Sequence, residues 1–158
     1  MKITTISACA VLSLIAALCA LHCSEEPRPM ALEFRLAQTE PGEGLTQMTF
    51  EPTGETIYLH GEVLIDNTDI ASAEVANWEG EYVVDLTFTE PGKEKLARVT
   101  GQHVTERMGM VVDGRLLSAP RINAAITQGR AIIVGALGEE EARRIAAGIQ
   151  AGLTAEQP

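Results

Sequence analysis

The sequence predicts an α+β fold, a mainly antiparallel sheet with two principal amphipathic helices packed on one face. Three observations carry this expectation. Tyr82, Val84, Leu86 and Phe88 face one way along a run in which Asp85 and Thr87 face the other, as a half-buried strand requires. Asp113-Gly114 divides the apolar runs Met108 to Val112 and Arg115 to Ala119, and this pair suits the positive backbone dihedrals of a two-residue hairpin turn. Two segments, one after Thr89 and one after Gly138, repeat apolar residues at helical spacing.

Each element can be justified in chain order. Leu32 to Leu36 alternates apolar and polar residues and reads as a half-buried strand, followed by a loop marked by Pro41-Gly42-Glu43-Gly44 and Pro52-Thr53-Gly54. Thr56 to Leu59 has strand character, with Glu62 to Ile65 as its continuation after Gly61. Asp66-Asn67-Thr68-Asp69 is a turn with a helix-start signal, in which Asn67 or Thr68 caps a short helix over Ile70 to Ala73. Glu74 to Asn77 then leads through Trp78-Glu79-Gly80 into the strand ending at Phe88. Thr89 caps the first principal helix, and Pro91 is tolerated in its first turn because that N–H has no partner to lose. Leu96, Val99, Thr100 and His103 form its docking face. Pro120 closes the second hairpin strand. Arg121 to Gln128 is ambiguous, since Ile122, Ala125 and Ile126 keep helical spacing but Gly129 ends the piece early. Ala131 to Val134 is a β-branched buried strand. The last helix opens on Glu139, Glu140 and Glu141, which complement its dipole, and buries Ala142, Ile145, Ala146, Ile149 and Leu153.

Composition narrows the function classes. The 158 residues have room for one ordinary domain. Lys plus Arg number 12 against 22 Asp plus Glu, and a formal charge of −10 repels phosphate backbones and anionic lipid, so nucleic-acid binding is excluded. Cys9, Cys19 and Cys23 all precede the body, which leaves it without a disulfide, a thiolate zinc site or a cysteine nucleophile. Met1-Lys2 followed by the apolar run Ile6 to Leu21 matches the charged and hydrophobic regions of a secretory signal peptide, and is short for a bilayer span of roughly 20 residues. Residues 1–22 are therefore expected to be a signal peptide, 23–31 a polar linker, 32–153 the domain and 154–158 a disordered tail. Cys23 is the candidate lipid-attachment residue of a bacterial lipoprotein. Ala20-Leu21-His22 lacks the small residue that such processing favours just ahead of the cysteine, so cleavage after Ala20 and retention as an uncleaved anchor stand beside it. All three place the body outside the cytoplasm.

No catalytic constellation is visible, and no cofactor is expected. His60-Gly61-Glu62 offers two metal ligands without a third. His103 is expected to cap carbonyls or pack at the end of its helix. Asp66, Asn67 and Asp69 lack the alternating loop and distal Glu of a calcium site and read as turn chemistry. Ser118 has no Gly-x-Ser-x-Gly elbow. Met108 and Met110 share one side of a strand. They can serve core packing, the plainer reading, or an adaptable peptide-gripping surface.

From Gly109 the run Gly-Met-Val-Val-Asp-Gly-Arg-Leu-Leu-Ser-Ala-Pro, ending at Pro120 and followed by Ile122, Ile126 and Gly129, resembles the extracytoplasmic head subdomain of the SecD/SecDF protein-export subunits. Ala131 to Gly135, Glu141-Ala142 and Ala151-Gly152-Leu153 continue the similarity. Upstream, Leu86 to Thr89 with Gly92, Leu96 and Thr100 looks like the preceding strand and helix, and Asp69-Ile70 with Ala73 like an earlier short helix. The resemblance runs roughly from Leu32 to Leu153. It implies a head without the family's base subdomain, and the proton-coupled membrane motor does not carry over. The function it implies is a non-enzymatic exported module that binds translocated polypeptide or an envelope protein, with Sec translocon components as further partners. A structural lipoprotein of an unrelated envelope complex is the alternative. An extended chain adding to a sheet edge is the expected binding mode, and the Asp113-Gly114 hairpin is the first place to expect such an edge.

Overall fold

Strand β1 (Leu32–Gln38) is the spine of the larger of two sheets. The computed structural model describes residues 26–155, so the leader-like segment and Cys23 lie outside the described residues. After β1 come β2 (Thr46–Phe50), β3 (Glu55–Leu59), β4 (Ile65–Asp66), a single 3₁₀ turn (Asn67–Asp69), β5 (Ile70–Trp78) and β6 (Glu81–Phe88). Helix α1 (Glu90–Gln102), β7 (Arg107–Val112), β8 (Arg115–Ser118), β9 (Arg130–Leu137) and helix α2 (Glu139–Ala155) complete the chain. The larger sheet runs β2-β3-β1-β7-β8, with β4 beside β3 on one edge of β1, and the smaller runs β5-β6-β9. All strand pairs are antiparallel, as expected, but the strands divide between two sheets rather than one.

Alternation decides what each strand buries. Val84, Leu86 and Phe88 of β6 point into the main core with Leu32 and Phe34 of β1 and Met108, Met110 and Val112 of β7. Both helices enter this cluster, α1 through Leu96 and Val99 and α2 through Ala142, Ile145, Ala146 and Ile149. The rings of Phe34 and Phe88 meet edge to face at 6.2 Å and tie one sheet to the other. On its opposite face the larger sheet curls around Ala37, Ile57, Leu59, Val111 and Leu116, bringing β2 close to β8.

Thr89 caps α1 as the sequence predicts, its hydroxyl accepting from the Gly92 N–H at 3.1 Å. The Asp113-Gly114 turn has φ of 50° and 77°, the conformation a two-residue hairpin needs. Ile70 to Ala73 is a correction. The cap is Asp66, the helix stops after one 3₁₀ turn, and Ile70 begins a nine-residue strand. Pairing with β6 from Ile70↔Phe88 to Trp78↔Glu81 overrides the local helix signal, and Glu79-Gly80 makes a second tight hairpin turn. Strand β2 arises inside the expected loop. Arg121 to Gln128 forms no helix and contributes one bridge, Arg107↔Arg121. Strand β9 continues past Val134 to Leu137.

The lead-in to β1 is docked on α2. Met30 N–H donates to the Gly148 carbonyl at 2.9 Å, and a Cβ on Gly148 would stand 2.6 Å from the Met30 sulfur. Asn67 fixes the same corner, its Oδ1 accepting from Leu32 N–H at 2.7 Å and its Nδ2 donating to the Met30 carbonyl at 3.1 Å.

Candidate functional site

A terminal strand carries backbone donors and acceptors with no ladder partner, so among the described residues the strands at the ends of the two sheets, β2, β8, β5 and β9, need cover. Two of them, β2 and β8, approach one another through the curl of the larger sheet. Strand β5 lies against α2, whose Gln150 Oε1 accepts from the Ala73 N–H at 3.2 Å. Strand β9 meets β8 only at one end. There Gly135 lies so near the Leu117 carbonyl that a Cβ would stand 2.6 Å from that oxygen. Away from this contact the two edges separate, and Arg130 to Val134 of β9 borders a groove of about 870 Å³.

The groove is apolar by construction. Its floor is Phe34, Leu96, Met108 and Met110, core residues seen from outside. One wall is the irregular segment from Ser118 and Pro120 through Ile122, Ala124, Ala125 and Ile126. This wall is pinned to α1: Ile126 N–H donates to Thr100 Oγ1 at 2.8 Å, and that hydroxyl donates to the Leu96 carbonyl at 2.7 Å. The other wall is the face of the smaller sheet turned away from the main core, with Ala76, Trp78, Val83, Ile132 and Val134. Trp78 is 56% exposed and Val134 37%. Asp85 pairs with Arg130 on this wall, and the carboxylate's hydrogen bond and charge raise the Arg130 pKa further.

The residues singled out in the sequence fall mostly elsewhere. His60 is half-buried, its N–H donating to the Leu36 carbonyl at 2.9 Å. His103 ends α1, its N–H donating to the Val99 carbonyl at 3.2 Å and its Nδ1 lying 3.1 Å from Glu106 Oε1. Neither histidine lines the groove beside Ser118. The oxygens of the Asp66 turn have partners in the turn and around it: Asp66 Oδ1 accepts from Thr68 N–H at 2.9 Å, and Asp69 Oδ2 accepts from Asp66 N–H at 3.1 Å and from Lys95 Nζ of α1 at 2.6 Å. Met108 and Met110 are buried in the core, the plainer reading, and they also line the groove. The Asp113-Gly114 hairpin does end on an edge strand, but Arg115 ties it down through Glu141 at 3.0 Å and Glu51 at 3.3 Å. The open edge is β9. Trp78 and Val134 are not legible as one surface because β6, α1, β7 and β8 lie between them in sequence, and Val83 behind them is buried. The one available signal was the chain's single tryptophan beside a Glu-Gly turn.

The description of the SecDF P1 head subdomain matches residues 43–155. The chain belongs to the SecDF P1 head family. SecDF of Thermus thermophilus is 41% identical over 93 residues, which cover 58% of this chain and 13% of that protein. SecD of Magnetococcus marinus is 40% identical over 76 residues, 48% of this chain and 14% of that protein. A solved structure of SecDF, described as a membrane component that enhances protein export, matches with a TM-score of 0.65 at 25% identity, over 96% of this chain and 72% of that one. The head thus spans 13% and 14% of the length of these two curated relatives. Within the head fold, the family-like Leu117-Ser118-Ala119-Pro120 run is where β8 leaves its sheet and becomes a groove wall. Among the described residues, no helix of the head is long and apolar enough to cross a membrane, and no cluster of His, Cys, Asp and Glu has metal-binding geometry.

Proposed function

We propose that this head domain is a non-enzymatic binding module on the extracytoplasmic side of a bacterial membrane, accessory to protein export, which takes up extended polypeptide in the groove beside β9. The observation that carries this reading is an apolar groove of about 870 Å³ with an edge strand along it. Backbone groups on a free edge bond any extended chain, whatever its sequence. The methionine-bearing floor adds apolar contact without demanding one side-chain shape. Family membership and the export role described for the solved SecDF relative support the setting. The leader-like Ile6 to Leu21 supports export of the body itself, with acylation at Cys23 as the proposed attachment. Intact mass of the mature N-terminus tests the attachment: diacylglyceryl-Cys23 is expected, and a bare cleaved end or an intact Met1 removes it.

Site-specific photocrosslinking in cells tests the groove. Probes at Ala124 and Ile132 sit on its two walls, and Val63 is an exposed control outside it. Adducts with secreted polypeptides in transit are expected at the two groove positions and not at Val63. Equal adducts at all three, or one stoichiometric envelope protein at the groove, would replace this reading with a structural role in an envelope complex.

A further inference from the structure

An apolar groove does not by itself choose among apolar segments, so selectivity falls to the charges at its rim. Trp78 closes the β5–β6 hairpin directly opposite Glu81, and the turn between them is Glu79-Gly80. Residues paired across antiparallel strands share a face, which places the Glu81 side chain beside the exposed indole. Among the described residues neither Glu79 nor Glu81 forms an ion pair. Two cations line the groove, and one of them is in an ion pair. Arg130 pairs with Asp85 within the field of Glu74, whereas Arg121 donates to the neutral Thr105 carbonyl at 2.7 Å and has no acidic partner among the described residues. At the β5–β6 hairpin end itself the charges beside Trp78 are the two unpaired carboxylates, on a chain whose net charge is −10.

Resting on the groove reading above, we propose that the occupant is an extended apolar segment carrying lysine or arginine, whose cation seats on the Trp78 indole beside Glu79 and Glu81 while its apolar residues enter the groove. An aromatic face attracts a cation held over it. Two nearby carboxylates strengthen that attraction and repel an acidic side chain at the same place. Both charge effects weaken as salt rises.

The test uses the 158-residue chain in mild detergent and short dye-labelled peptides that share one alternating Leu/Thr pattern and differ only in a terminal pair of Lys, Gln or Glu. Fluorescence anisotropy should order them Lys, Gln, Glu, with Lys about fivefold tighter than Gln at low salt. Raised salt should compress the series. The double variant Glu79→Gln, Glu81→Gln should bring Lys and Gln peptides together, and Trp78→Leu should weaken the Lys peptide most. The three positions altered at this corner, Trp78, Glu79 and Glu81, are all exposed, and thermal melts of each variant check that the fold is kept. Equal binding of all three peptides would overturn the charge selection and leave the groove reading intact. Binding of none would overturn the groove reading and the selection with it.

Discussion

At Gly92 one missing methyl lets α1 begin where it does. A Cβ there would stand 2.1 Å from the Asp69 carbonyl oxygen, which also accepts from Thr89 N–H at 2.9 Å and Thr89 Oγ1 at 3.2 Å. Gly92→Ala is expected to cost about 2 to 3 kcal/mol, read as a lower urea midpoint at constant slope. Gly101 of the same helix has only an ordinary 3.5 Å contact to Ala125, so Gly101→Ala should stabilise by about 0.5 to 1 kcal/mol. Asp66 adds a pH dependence. The Thr68 hydroxyl, more than any other group, holds its carboxyl below the ordinary 3.8, helped by the Thr68 N–H and the charge of Lys95 and opposed by partial burial. A depressed folded-state pKa gives stability that is fully present above about pH 4 and is lost as pH falls through the lower folded value. Asp66→Ala should therefore cost about 1 kcal/mol near neutrality, and chemical denaturation at successive pH values should show that gap closing in acid.

Among the elements, β9 makes the most specific prediction. It is paired on one side only from Arg130 to Val134, so amide exchange should alternate along it, slow where N–H groups bond β6 and fast where they face the groove. A bound peptide should slow the fast set, and uniform protection in the free protein would mean that this edge is already covered. Legibility in the sequence also differed by element. Helix α1 was legible because cap, proline and apolar spacing agree from Thr89 to Thr100, and the Asp113-Gly114 turn because it needs only two residues and their flanks. Ile70 to Ala73 is not legible locally, because a short apolar stretch after a capping turn fits a helix or a strand equally and its partner β6 decides the outcome from outside the window. Strand β2 was missed because Thr46 to Phe50 is largely exposed, so its pairing with β3 leaves little hydrophobic pattern to read.

Across the whole molecule, the groove exists because the edges of β8 and β9 touch at Gly135 and part elsewhere, and no local pattern encodes that. Its floor begins at Phe34 and its far wall ends at Val134, so only the assembled fold brings them together. The charge balance and the family-like run from Gly109 to Pro120 were legible earlier because each survives without knowledge of packing. Trp78, the single tryptophan, gives this scale a direct readout. Its emission in the free protein should be red-shifted and readily quenched by acrylamide, and a groove ligand should shift it to the blue and shield it. A blue, unquenchable emission in the free state would place the indole inside the protein. The docking of Met30 on Gly148 has a consequence for architecture. It sets the start of the first strand against the closing helix, so the folded unit's two ends emerge side by side. A unit closed in that way can be spliced into a surface loop of a far larger host without forcing the host's flanks apart, the geometry that lets a cassette travel between proteins of very different length.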